Sequence, residues 1–272
     1  MIVNSIKKSI RGVFQLVFPF IYRERIYQKF HLSFQNKLVD REFSILPYLL
    51  NNRSNVLDVG ANNGEYCYFF QEIIRTNNIV AFEPISHLHK RLKLLFPTIE
   101  VLPFAISNTS GKAFLHIPYI KHQKYETRAK LDLIHEQNET RLEIIEVQTT
   151  TIDEIYSSSS KKIDFIKIDI EGHELQAIRG AKNVIEKDQP ILFVEIEKRH
   201  HPIDFNGVIQ EICSLGYFCY FLEENELKGF SEFSIDVHQN LDTKENYYIH
   251  NFFFFPENFS VEDLNKKIKS TL

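Results

Sequence analysis

The sequence predicts an α/β domain built on a doubly wound, mostly parallel sheet of seven strands. Three observations predict it. From residue 56 onward, short apolar runs alternate with helical patterns. The connections between them are short, as parallel strands joined by crossover helices require. Polar residues gather just beyond the carboxyl ends of the apolar runs, where open parallel sheets bind ligands. With 272 residues, 43% of them hydrophobic, the chain has ample apolar volume for one such core.

Residues 56–59 form the first strand, which Gly60 ends. A helix follows at 65–75 and a second strand at 79–82. Ser86 caps a helix that reaches Phe96 and stops at Pro97. Residues 99–104 make the third strand. The alternation then breaks: 114–118 and 144–149 read as an inserted β-hairpin around a charged stretch at 121–143. An insert of this kind suits a lid or a substrate loop. Thr151 caps a short helix, 163–170 is a buried strand, and a helix spans 172–187. Pro190 leads into a strand at 191–197. A helix at 204–215 passes through Gly216 to a strand at 217–222, and the last strand is 249–255, ended by Pro256. No repeat or linker divides this region, so 38–272 is read as one domain.

Residues 1–37 precede it as an N-terminal amphipathic helical extension. Val3, Ile6, Ile10, Val13, Phe14 and Val17 share one helix face, with Lys7, Lys8 and Arg11 off it. The apolar stretch 13–22 is too short to span a bilayer and lacks a small-residue cleavage site. The extension is expected to pack on its own domain or on a second copy in a homo-oligomer. A basic helix lying on a membrane surface is the sharper alternative.

Several function classes fall away. Only nine glycines are present, and none opens a P-loop, a nucleophile elbow or a complete dinucleotide fingerprint. His173-Glu174 starts a zinc-protease pattern that Ala177 ends. The net charge of −4 argues against a nucleic-acid partner. Three cysteines without paired spacing point to a reducing, cytoplasmic compartment, with a peripheral membrane position if the extension docks there.

The candidate chemistry lies at the strand ends. Asp58 and the turn Gly60-Ala-Asn62-Asn-Gly64 follow the first strand, and Glu83 ends the second. A carboxylate beside the turn is wrong for a phosphate and suits a cationic ligand. Glu83 can accept hydrogen bonds from both hydroxyls of a ribose. Together they favour an adenosyl nucleoside without a pyrophosphate, such as S-adenosylmethionine. Lys167 and Asp169 project to one side of the fourth strand, with Glu171 and Glu174 at the following turn. Glu195 and Glu197 repeat the arrangement before Lys198-Arg199-His200-His201. Buried charges flanked by apolar residues are costly unless paired or used.

These residues carry a resemblance. Asp58-Val-Gly-Ala-Asn-Asn-Gly64, Phe82-Glu83-Pro84, Thr151-Ile-Asp-Glu154, Lys167-Ile-Asp-Ile-Glu-Gly-His-Glu174 with Arg179-Gly-Ala181, and Val194-Glu195 are similar in order and spacing to the FkbM-like S-adenosylmethionine-dependent methyltransferases. The resemblance covers residues 40–256. It implies a class I methyltransferase (Rossmann-like) fold and O-methylation, often of a sugar hydroxyl in a glycan or glycosylated metabolite. It implies a cofactor set of Asp58, Gly60, Asn62, Gly64, Glu83, Pro84 and Ala105. The catalytic candidates are Lys167, Asp169, Glu171, Glu195 and His200, with Asp169 or Glu195 as base. No metal is expected. If Mg²⁺ were used, Asp169, Glu171 and Glu195 would gather it, since hard cations take oxygen ligands. The other readings are a non-sugar acceptor (lipid, polyketide or protein), a non-catalytic binding protein retaining the fold, and, more remotely, a nicotinamide oxidoreductase.

Overall fold

A computed structural model describes residues 19–36, 40–131, 139–201, 204–240 and 248–271. The predicted helical face at 3–17 lies outside them. The chain runs α1 (Pro19–Gln35), α2 (Leu46–Leu49), β1 (Val56–Val59), α3 (Glu65–Ile73), β2 (Ile79–Phe82), α4 (Ser86–Leu95), β3 (Glu100–Leu102) and β4 (Phe104–Ile106). The insert contributes β5 (Gly111–Ile120), β6 (Gln123–Lys124) and β7 (Glu139–Thr150). Then follow α5 (Ile152–Tyr156), β8 (Phe165–Ile168), α6 (Glu174–Arg179), α7 (Lys182–Asp188), β9 (Ile191–Glu195) and α8 (Phe205–Cys213). The chain closes with β10 (Tyr217–Glu223), β11 (Glu226–Gly229), α9 (Ile235–His238), β12 (Asn251–Pro256) and α10 (Val261–Thr271).

The main sheet has the order β11-β10-β12-β9-β8-β1-β2-β3. Strands β9, β8, β1, β2 and β3 pair in parallel, and β12 enters antiparallel between β9 and β10. Chain order reverses between β1 and β8, which opens a crevice at their carboxyl ends. Eight strands are present where the sequence predicts seven. The addition is β11, joined to β10 by a two-residue turn with Glu224 and Asn225 both left-handed. Hairpin turns need that conformation, but Glu224 is not a residue that announces it.

Two further boundaries differ. The predicted third strand breaks at Pro103, which has no N–H for a ladder. Its second half, β4, leaves the main sheet and pairs with β7. The insert is therefore not a lone hairpin but part of a second sheet, β4-β7-β5-β6. Its inner face buries Leu115, Ile117 and Val147 against Ile85, Leu88 and Ala105, beside the crevice. The helix predicted at 172–187 is two, α6 and α7, divided at Gly180 and Ala181.

Apolar side chains alternate to both faces of the main sheet, as a strand covered on both sides requires. One layer joins α1, α3 and α10 to Phe165, Phe193, Phe253 and Phe255. The other joins α6, α7 and α8 to Ile166, Leu192, Phe252 and Phe254. With no Trp, stacked phenylalanines supply the bulk: the Phe193 and Phe253 rings lie 4.6 Å apart and Phe255 and Phe259 4.5 Å apart. Helix α1 enters the first layer through Tyr22, Ile26 and Phe30, leaving Phe20, Ile21 and Leu32 exposed.

The turn after β1 and the end of β8 approach very closely. Gly60 is left-handed (φ +80°), and a Cβ on it would fall 1.9 Å from the Asp169 carbonyl oxygen. Gly60→Ala should therefore cost more than about 2 kcal/mol, from strained φ and backbone overlap together. A urea midpoint unchanged from wild type would show that this approach is not needed.

Candidate active site

A cavity of about 350 Å³ opens where β1, β2 and β8 end, with β4 and the second sheet along one side. Its floor is built around Lys167. The Lys167 ammonium is buried, 3.4 Å from Asp58 Oδ1 and 3.2 Å from Asp169 Oδ2, and it donates to the Gly60 carbonyl at 3.1 Å. It also lies 4.9 Å from the centre of the Tyr66 ring. Burial alone would lower its pKa; Asp169 and Asp58 outweigh burial and raise it, so the group is a fixed cation. Asp58 is fully buried beneath it and also accepts from the Cys67 thiol.

Glu83 sits at the end of β2 with its carboxylate turned back on the backbone. It accepts from the Asn62 amide at 2.9 Å and the Ile85 amide at 2.8 Å. Burial nevertheless pushes its pKa up to about 7. Asn62 is left-handed (φ +44°), a conformation its short amide tolerates. Its buried Oδ1 has no hydrogen-bond donor, leaving an acceptor beside the cavity.

The opposite end is acidic. Asp169, with 36% of its side chain exposed, faces Lys167 on one side and Glu195 on the other. Burial, followed by the charges of Asp169 and Glu171, holds Glu195 well above the usual carboxylate range. The Glu195 carboxyl lies against that of Asp169, whose closeness also favours the protonated form of Glu195. Glu171 is left-handed (φ +60°) without being glycine, a costly conformation that the surrounding contacts maintain. His200 Nε2 lies 2.9 Å from Glu171 Oε2 and the Arg199 guanidinium 3.4 Å from it. Arg199 in turn grips both oxygens of Glu197 at 2.7 Å.

A second pair closes this end. Asp40, just after α1, accepts from Tyr66 Oη at 2.7 Å and faces His250 Nε2 at 3.7 Å. His250 stands immediately before β12 and lies 3.9 Å from Glu195. Burial would lower the His250 pKa, but the nearby Asp40 carboxylate raises it. For Asp40, burial opposes and His250 and Tyr66 prevail, so its carboxyl is held below the usual range.

A family model described as "Methyltransferase FkbM domain" matches residues 58–219. The chain belongs to the FkbM methyltransferase family. Residues 58–219 are a methyltransferase domain of that family, carried on the mostly parallel α/β sheet described above. Among solved structures it is similar to a methyltransferase FkbM from Methylobacillus flagellatus KT, at 17% identity and a TM-score of 0.47. That match covers 80% of this chain and 49% of that one, so this chain spans about half the relative's length. It is also similar to an rRNA methylase from Streptococcus thermophilus (12% identity, 78% and 91% coverage, TM-score 0.39). A third likeness is to an O-methyltransferase from Thermotoga maritima (9% identity, 84% and 71% coverage, TM-score 0.43). No curated protein shows significant sequence similarity to the chain.

Within this family's cavity, the predicted Gly60, Asn62, Glu83, Pro84, Ala105, Lys167, Asp169, Glu171 and Glu195 all line the wall. Three others stand one layer behind it. Asp58 supports Lys167, and His200 supports Glu171. Gly64 makes room for core side chains: a Cβ there would meet Phe96 and Leu92 at 2.6 and 2.7 Å. Asp169, Glu171 and Glu195, predicted to gather any metal, have oxygens within 4.8 Å of one another. Glu174 hydrogen-bonds the Gly172 amide and His201, holding the turn into α6. Sequence reasoning missed Asp40, Tyr66 and His250. None carries a spacing signal; the only hint for His250 is its place at the entry to the terminal strand.

Glu42, two residues beyond Asp40, is buried and accepts from Asn251 Nδ2 at 3.3 Å. Burial, with Asp40 adding to it, pushes its pKa from 4.5 up to about 7. A folded pKa above the unfolded one means that the fold holds this proton more tightly. The stability it contributes is complete below about pH 4.5 and is lost as pH rises through about 7. Glu42→Gln should flatten the decline in unfolding free energy across that window. Parallel profiles for variant and wild type, from urea melts at each pH, would contradict this assignment.

Proposed function

We propose that this protein transfers the methyl group of S-adenosylmethionine to a hydroxyl of a carbohydrate acceptor in a glycan, surface-polysaccharide or glycosylated-metabolite precursor. The observation that carries the reading is Asp169, the most accessible of the three clustered carboxyls Asp169, Glu171 and Glu195, lying between Lys167 and Glu195. Glu83, Gly60, Asn62, Pro84 and Ala105 would hold the adenosyl moiety, and the orphan acceptor on Asn62 suits a nucleoside donor group. When bound, the cofactor supplies an activated methyl group on a cationic sulfur.

The chain's own task is to align an alcohol and take its proton. Asp169 accepts that proton, Lys167 holds Asp169 in place, and a proton shared with Glu195 would steady the pair. A polyhydroxylated acceptor has donors to spend on such carboxylates, which only accept when ionised. The contiguous carboxyls also support a second reading. Asp169, Glu171 and Glu195 would hold a divalent cation such as Mg²⁺ in place of the shared proton, and its charge would favour deprotonation of the acceptor.

The three free cysteines support a reducing, cytoplasmic setting, and among the described residues no helix is long and apolar enough to cross a membrane. Exposed Phe20, Ile21 and Leu32 on α1 support the expected contact of the N-terminal extension with another surface.

Incubation with methyl-labelled S-adenosylmethionine and a panel of sugars, glycans, lipids and proteins tests the acceptor class. Label is expected in carbohydrate, and label only in lipid or protein would overturn the reading. EDTA should leave turnover unchanged if the shared proton is the operative state; loss of turnover restored by Mg²⁺ would establish the metal reading. Asp169→Asn should lower kcat by about 100-fold or more while the cofactor Kd stays within about threefold. Near-normal turnover in that variant would remove Asp169 from the proton transfer.

A further inference from the structure

Seven of the described residues lining the cavity carry carboxyl groups. Two of them, Glu83 and Glu126, belong to the cofactor side, where Asn62 hydrogen-bonds both. The other five are Asp40, Glu65, Asp169, Glu171 and Glu195. Against them, Lys167 is the one Lys or Arg among the described lining residues, and Asp58 and Asp169 already hold it. The two lining histidines are engaged as well: His173 with Ser107 at 2.9 Å, His250 between Asp40 and Glu195. No described cation faces the cavity without a carboxylate or hydroxyl upon it.

Two of the five acids come from places that the core motifs do not specify. Asp40 lies outside the span matched by the family model, as does its partner His250. Tyr66 locks one Asp40 oxygen at 2.7 Å, so the carboxylate is a fixed charge. Glu65 opens α3 and is solvent-exposed at the cavity; partial burial of its carboxyl and then the charge of Asp40 raise its pKa, with Lys167 and Arg91 opposing them.

We propose that the cavity selects an acceptor with no negative charge beside the methylated hydroxyl, and that Asp40 and Glu65 enforce this selection. It rests on the carbohydrate reading above and narrows it to neutral or amino sugars. Uronic acids and sugar phosphates would be rejected unless their charge lies outside the cavity. The physical basis is repulsion and desolvation: an acceptor carboxylate brought beside the fixed Asp40 carboxylate and the Glu65 carboxyl, with no free cation among the described lining residues to receive it, is disfavoured.

The test measures binding apart from transfer. The full chain is loaded with S-adenosylhomocysteine. Saturation-transfer NMR then follows the methyl glycosides of glucose, galactose and mannose alongside their uronic acid counterparts. The neutral member of at least one pair should bind at least about tenfold more tightly, from Coulomb repulsion alone. Asp40→Asn and Glu65→Gln should each narrow that ratio. Glu65→Gln changes an exposed helix-start residue, so it reports even if Asp40→Asn fails to fold. Equal or tighter binding of the uronic acids, binding of neither member in every pair, or a ratio unchanged in Glu65→Gln would overturn the proposal. Label transfer from S-adenosylmethionine to the same probes is read separately. Discriminating binding without any transfer would count against carbohydrate methylation and leave the charge selection standing.

Discussion

The buried Lys167 ammonium is the point on which the rest of the site depends. A cation with no access to water needs partners, and here they come from three directions: Asp58 on β1, Asp169 after β8 and the Gly60 carbonyl. Those contacts tie the turn after β1 to the end of β8 across the reversal in strand order. They therefore set the spacing between the cofactor half of the cavity and its acidic half. The close approach of Gly60 to the Asp169 carbonyl is the backbone counterpart of the same tie.

Around that fixed cation the carboxyl groups divide by environment. Asp58 is sealed away and serves Lys167. Glu83 lines the cavity with each of its carboxylate oxygens held by a backbone amide. Glu195 is buried and crowded by Asp169 and Glu171, which raise its pKa well above the usual carboxylate range. Asp169 alone among these four combines a cationic brace with substantial exposure at the cavity. One functional group, the carboxyl, thus takes four roles, set by burial and neighbours and not by chemistry alone.

Much of this was readable in the sequence. The strands appear as apolar runs because both faces of a parallel sheet are covered, and the strand-end polar residues stand out against them. Lys167-Ile-Asp169 declares its own geometry, since period two places both side chains on one face. What could not be read was depth. Asp58, Gly64 and His200 stand in motifs beside lining residues, yet each lies a layer back, and nothing in spacing distinguishes a wall from its support. The eighth strand was missed because Glu224 and Asn225 adopt a hairpin turn without glycine, and the third strand was split because Pro103 diverts the chain into a second sheet.

By itself, the sequence determined the class of fold, the order of its strands along the chain and the residues that meet at the ends of β1, β2 and β8. These are local properties: periodicity, turn chemistry and short-range spacing. Only the tertiary structure decided what faces them. Asp40 and His250 are separated by 210 positions and lie on opposite flanks of the matched domain, yet they meet 3.7 Å apart because β12 inserts beside β9 and carries His250 to Glu195. A contact made by strand insertion leaves no pattern in either segment. The acidic end of the cavity therefore became visible only in three dimensions.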